Sequence, residues 1–219
     1  MTDVFLFGTL CWPELLRLVG GASCPRGEAA DLPGYHVSWA KGHPFPAIHP
    51  KAGCQARGIL LRGCNAQVLA RMDHYESGFG YKLHPVTVMA AAGPVQAQVY
   101  LPPDGLEPGP EWSLTDWQAA HGALALEAAG EVMAVMGRMS PAELARAFAE
   151  CDVAVHASAA HFSASADFAA WKKITGKPYG VLGITFDSVS GIGSDRSSEG
   201  GTLAELRAQM EMLPAGRTR

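Results

Sequence analysis

The sequence predicts an α+β fold: a small mixed β-barrel with short helices, followed by a helical C-terminal extension. Three observations predict it. Strand-length apolar runs punctuated by Gly and Pro dominate residues 1–103, with only two short helical segments among them. The cluster from Pro102 to Pro110 breaks the chain, and beyond it the apolar period becomes helical. Apolar residues make up 48% and charged residues 17%, which excludes a disordered chain and a long coiled coil.

The elements follow in order. Asp3 to Phe7 reads as a buried strand ended by Gly8-Thr9. Pro13 suits the first position of a short helix through Leu18, because a missing N–H costs nothing there. Glu28 to Ala40 and Ala56 to Arg62 read as strands. Gly42 to Pro46, between them, is too proline-rich for a helix or a central strand. Asn65 is placed to cap a helix reaching Tyr75, with Val68, Leu69 and Met72 at helical spacing and Gly78 and Gly80 as its stop. Tyr81 to Met89 and Val95 to Leu101 follow as strands.

Past the Pro102–Pro110 break, Leu114, Trp117, His121, Leu124, Ala128, Val132 and Val135 trace one face of a long helix. Ser140-Pro141-Ala142-Glu143 is a capping box. A strand from Tyr179 to Phe186, a loose Gly/Ser-rich stretch near 188–201 and a last helix from Thr202 to Leu213 complete the reading. The expected organisation is a domain over 1–103 and a mostly helical extension over 104–219 whose role has no reading.

Charge excludes some partners. With 17 basic and 21 acidic residues, the net charge of −4 offers no electrostatic case for nucleic acid or anionic lipid. Pro85 to Pro103 is uncharged and approaches the length of a membrane span, but Gly93-Pro94 at its centre and the alternation in Val95-Gln96-Ala97-Gln98-Val99 indicate a hairpin. The start lacks a basic segment, so no secretory signal is expected. The cysteines at 11, 24, 54, 64 and 151 are odd in number and form no Cys-x-x-Cys pair, so neither a disulfide framework nor a zinc site is expected. Free thiols suit a reducing compartment, and cytoplasm is the expected one.

Two segments could carry chemistry. Phe7-Gly8-Thr9-Leu10 takes a strand through glycine into a turn before a helix, where successive backbone N–H groups can converge on an anion. An ordinary strand-to-helix turn reads the same way. In Met72-Asp73-His74-Tyr75-Glu76-Ser77, Glu76 follows Met72 by four residues and Leu69 by seven, so it shares the apolar face. A desolvated carboxylate there has a raised pKa suited to proton transfer. A frayed helix end pointing Glu76 into water is the equal alternative. Asp73 and His74 fall off that face, toward solvent.

Together these segments, with Tyr81 and Val86-Thr87-Val88 after them, resemble the γ-glutamylcyclotransferase-like family, which includes the plant AIG2-type proteins. That family pairs a Tyr-Gly-(Ser/Thr)-(Asn/Leu) turn with a downstream Leu-Asp-x-(Tyr/Phe)-Glu-Gly…Tyr segment. The resemblance implies the barrel fold and an enzyme that closes a γ-glutamyl group of a small molecule to 5-oxoproline, expelling its amine. It implies Glu76 as the acid/base, Gly8, Thr9 and Leu10 as the anion turn after Phe7, and Tyr81 as a pocket wall. Because the nucleophile is the substrate's own amine, no metal or cofactor is expected.

Two departures bear on the expectation. Phe7 stands for the usual tyrosine and Ser77 for the usual glycine. They motivate an alternative, a non-catalytic module holding a carboxylate-bearing ligand in the same pocket. Another alternative is an altered relative of a two-domain protein in which such a module precedes a Nudix-type hydrolase. No Arg-Glu-x-x-Glu-Glu run is present, so nucleotide hydrolysis is not expected. Cys11 reads as a buried inert thiol, and His36, His43 and His49 lack ligand spacing.

Overall fold

The computed structural model describes residues 1–147 apart from 42, 78, 79, 141 and 145, together with 170, 173 and 174. The elements are β1 (Thr2–Leu6), a 3₁₀ turn (Thr9–Cys11), α1 (Pro13–Gly20), β2 (Gly27–Ala40), β3 (Pro46–Cys64), α2 (Ala66–Ser77), β4 (Lys82–Ala90), β5 (Gly93–Leu101), β6 (Pro108–Glu111) and α3 (Leu114–Ala134). The expected strand from Tyr179, the Gly/Ser-rich stretch, the last helix and Cys151 lie outside the described residues.

Five strands close a mixed barrel. Around it run β3, β1, β5, β4 and β2, and β2 pairs again with β3 to close the ring. Only β1 and β5 run parallel; the other pairings are antiparallel. β6 adds to the edge of β2. Alternation along each strand divides the core in two. Phe5, Leu60 and Val99 join Leu32, Ile48 and Val88 in one buried cluster, while their neighbours Val4, Leu6, Leu61 and Tyr100 turn to the helices and meet Leu15, Val19, Val68 and Met72.

The local signals hold where chemistry is local. Asn65 caps α2, its Oδ1 accepting from the N–H of Val68 at 2.9 Å. The uncharged stretch is the β4–β5 hairpin, with Val88 opposite Val95 and Ala90 opposite Gly93. Ser140 and Glu143 form the capping box, the Ser140 N–H donating to Glu143 Oε2 at 2.6 Å and the Glu143 N–H to Ser140 Oγ at 3.3 Å. Among the described residues no helix is long and apolar enough to cross a membrane.

Two expectations are corrected. β3 begins at Pro46, ten residues before the strand expected at Ala56. Over this first half it pairs only with β2, from Trp39 opposite Pro46 to Tyr35 opposite Pro50, and it meets β1 only from Ile59 onward. A free edge tolerates proline because no N–H is needed on that side. The Pro102–Pro110 stretch also fails to separate the helical part from the barrel. It carries β6, with Glu111 opposite Ser38 and Pro108 opposite Ala40, and Lys41 bonds Glu107 through both backbone and side chain. Trp117 and Ala129 of α3 then enter the same core as the barrel residues Val4 and Leu61.

Candidate active site

The chain leaves β1 and turns sharply at Gly8, with φ 78° and ψ −142°, a conformation closed to other residues except under strain. A Cβ there would also meet the Pro46 ring at 2.6 Å. The turn that follows is held by N–H donation from Cys11 to Gly8 O and from Trp12 to Thr9 O, both 3.0 Å. These bonds use carbonyls at the start of the turn and amides at its end. The amides of Thr9 and Leu10, at the start of the turn, are donors in neither of these bonds.

Beside this turn is a cavity of about 110 Å³. Phe5, Leu6, Phe7, Thr9 and Leu10 line it from β1 and the turn, Pro44 and Phe45 from the loop before β3, and Pro46 from the first position of β3. Tyr75 and Glu76 enter from the end of α2, Tyr81 from the residue just before β4, Tyr100 from β5, and Trp117, Ala125 and Ala128 from α3. The structure therefore gathers Phe7, Thr9, Leu10, Glu76 and Tyr81 around one space. Gly8 is buried behind the wall, where it shapes the turn without lining the cavity.

Glu76 is not a frayed, solvated residue. Burial pushes its carboxyl up from 4.5 to about 8, and burial is the whole cause. Among the described residues no Lys, Arg or His lines the cavity to hold the charged form. A carboxyl in that condition is poised to exchange a proton near neutral pH. Burial first, and the Glu76 charge second, raise the phenol groups of Tyr75 and Tyr81 above their ordinary value.

The aromatic walls are pinned from outside. Tyr81 donates its hydroxyl to Pro46 O at 3.2 Å, Trp117 its indole N–H to Pro44 O at 2.8 Å, and Tyr100 its hydroxyl to Asp73 Oδ1 at 2.6 Å. Trp12 packs edge-on to Trp117, with centroids 6.1 Å apart. Asp73, though exposed, thus ties α2 to β5 beside Glu76. His74 departs from expectation. It is 6% exposed, and its Nε2 donates to Val132 O at 2.9 Å, because α3 packs over the side of α2 that the sequence assigned to water.

Sequence reasoning missed Pro44, Phe45, Tyr100 and Ala125 as walls. It named Trp117 and Ala128 only as part of an apolar helix face, which was the one available signal. Cys11 is no nucleophile: its thiol donates to Leu6 O at 3.3 Å, and burial pushes it up to about 12. Among the described residues no group of three or more His, Cys, Asp or Glu is arranged to hold a metal.

Comparison with known proteins adds a family to this geometry. A family model described as gamma-glutamyl cyclotransferase, AIG2-like, matches residues 4–119. Protein AIG2 B of Arabidopsis thaliana is 28% identical over 122 residues, covering 54% of this chain and 72% of that protein. Protein AIG2 A of the same plant is 28% identical over 135 residues, covering 60% and 78%. A crystal structure of an AIG2-like protein from Mus musculus superposes with TM-score 0.42 at 18% identity, covering 52% of this chain and 88% of that one. The family match ends inside α3, before Ala125 and Ala128.

Proposed function

The chain belongs to the gamma-glutamyl cyclotransferase, AIG2-like family, and on that premise we propose that it converts the γ-glutamyl group of a small amide to 5-oxoproline with release of the amine. The observation that carries this reading is the desolvated carboxyl of Glu76 in the same cavity as the Thr9–Leu10 turn.

The reaction asks little of the protein. The substrate's α-amine carries a proton, which the Glu76 carboxylate removes. The freed nitrogen attacks the substrate's own γ-carbonyl carbon and closes a five-membered ring. When the tetrahedral species collapses, the ring nitrogen releases its second proton to solvent and the bond from that carbon to the amide nitrogen breaks. The departing nitrogen takes the proton back from the Glu76 carboxylic acid. One group serves as base and then as acid, which a pKa near the working pH allows. Because both reacting centres belong to one molecule, the protein's contribution is to fold the substrate into the cyclising conformation.

Binding follows from the walls. The substrate's α-carboxylate is received by the amides of Thr9 and Leu10, where an anion meets N–H donors without a cationic side chain. Gly8 allows the backbone this shape, and Phe7, Tyr81 and Tyr100 enclose the aliphatic part of the glutamyl group. Phe7 contributes a ring face where the family's usual tyrosine would add a hydroxyl.

The test is product formation. Wild-type protein is incubated with a panel of γ-glutamyl amides, and 5-oxoproline and free amine are measured by mass spectrometry in equal amounts. Saturable binding of the same compounds with no 5-oxoproline would replace this reading with a ligand-binding module.

A further inference from the structure

The cavity around Glu76 has polar groups for one glutamyl unit and almost none beyond it. Among its described lining residues Glu76 is the only Asp, Glu, Lys, Arg or His. Three aromatic donors in the wall are already committed to protein acceptors: Tyr81 to Pro46 O, Tyr100 to Asp73 Oδ1 and Trp117 to Pro44 O. After the turn amides and the Thr9 and Tyr75 hydroxyls, what remains of the described lining is mostly ring and methyl surface.

We propose that the amine portion of the substrate is uncharged and apolar, an alkyl or aryl amine, recognised by Phe45, Trp117, Ala125 and Ala128. This rests on the cyclotransferase reading above and specifies the substrate class of the same site. Trp117, Ala125 and Ala128 succeed one another by eight and three residues, so they share one face of α3. Trp117 supplies a fixed flat wall, and the two alanines leave space beside it.

Charged amine portions fit this surface poorly. A γ-glutamyl amino acid would bring a second carboxylate into a cavity that holds Glu76 and has no cation among its described lining residues to receive it. An ammonium group would exchange its hydration for ring faces, which return less than is lost. An apolar group gains by burial alone, by about tenfold or more in affinity for a ring or a short alkyl chain.

Four compounds of similar size test the proposal: γ-glutamyl anilide, γ-glutamyl propylamide, γ-glutamylglycine and the γ-glutamyl amide of 1,3-diaminopropane. For each, kcat/KM for 5-oxoproline release is measured with wild type. Dissociation constants are measured by calorimetry on Glu76→Gln, or on wild type if it turns over none of the four. The anilide and propylamide should exceed both charged compounds by about tenfold or more in each measurement. Ala125→Lys, at a half-buried position that lets the ammonium reach solvent, should narrow or reverse the gap for γ-glutamylglycine. Turnover with equal or inverted preference overturns the proposal and leaves the cyclotransferase reading standing. Absence of turnover with the apolar preference intact in binding overturns that reading and upholds the apolar subsite. Equal dissociation constants overturn the subsite in either case.

Discussion

Replacing Glu76 with glutamine should make the folded chain more stable above neutral pH, although it removes the group assigned to proton transfer. The reason is linkage. The carboxyl titrates near 4.5 in an open chain and near 8 in the cavity, so between these values the folded state holds a proton that the unfolded state has lost. Stability from this group is fully present below the lower value and is lost as pH rises through the upper one. Each pH unit in that interval is worth about 1.36 kcal/mol, which makes the deficit at pH 7 about 3 kcal/mol. Water reaching the cavity trims that figure, so it is an upper bound.

Glutamine has nearly the same shape and no charge, so the variant escapes the deficit. Urea unfolding at pH 5, 6, 7 and 8 should give similar stabilities at pH 5 and a widening gap in the variant's favour above it. In melting temperature, the pH 7 gap corresponds to roughly 6–12 °C for a chain of this size. A difference curve that stays flat from pH 5 to 8, or a wild type more stable at pH 8, would refute the claim that Glu76 is desolvated.

Three further substitutions probe the walls. Gly8→Ala must hold a φ of 78° and push against the Pro46 ring, so it should lose about 1–3 kcal/mol in urea unfolding and lower turnover with it. Tyr100→Phe removes the bond to Asp73, and a loss of about 1–2 kcal/mol is expected by the same assay. Trp117→Phe leaves Pro44 O without its indole donor; steady-state kinetics should show KM rising several-fold with a smaller change in kcat. An unchanged KM would separate α3 from substrate binding.

How much was legible in the sequence depended on how far each signal had to reach. The cap at Asn65, the turn of the β4–β5 hairpin and the capping box at Ser140 are settled within four or five residues, and all three are present. Glu76 could be placed on the apolar face of α2 by spacing, yet spacing left open whether anything covered it. The cover is α3, with the loop at Pro44–Phe45, and these arrive from distant parts of the chain. His74 was misread for the same reason, since its partner Val132 is 58 residues away. Prolines misled twice. At Pro46 and Pro50, and again in β6, they sit on strands with a free edge, a circumstance that composition does not disclose. The break at Pro102–Pro110 therefore reads as a boundary where the chain in fact adds an edge strand and then roofs its own cavity.

In the proposed reaction one carboxyl, Glu76, moves the proton in both halves of the cyclisation. The most direct measurement is the rate of 5-oxoproline release from γ-glutamyl anilide by wild type and by Glu76→Gln, at a pH where circular dichroism shows both folded. A fall of about 10²–10⁴-fold is predicted, the range typical of a lost general acid/base. A folded variant that releases 5-oxoproline at the wild-type rate would contradict it.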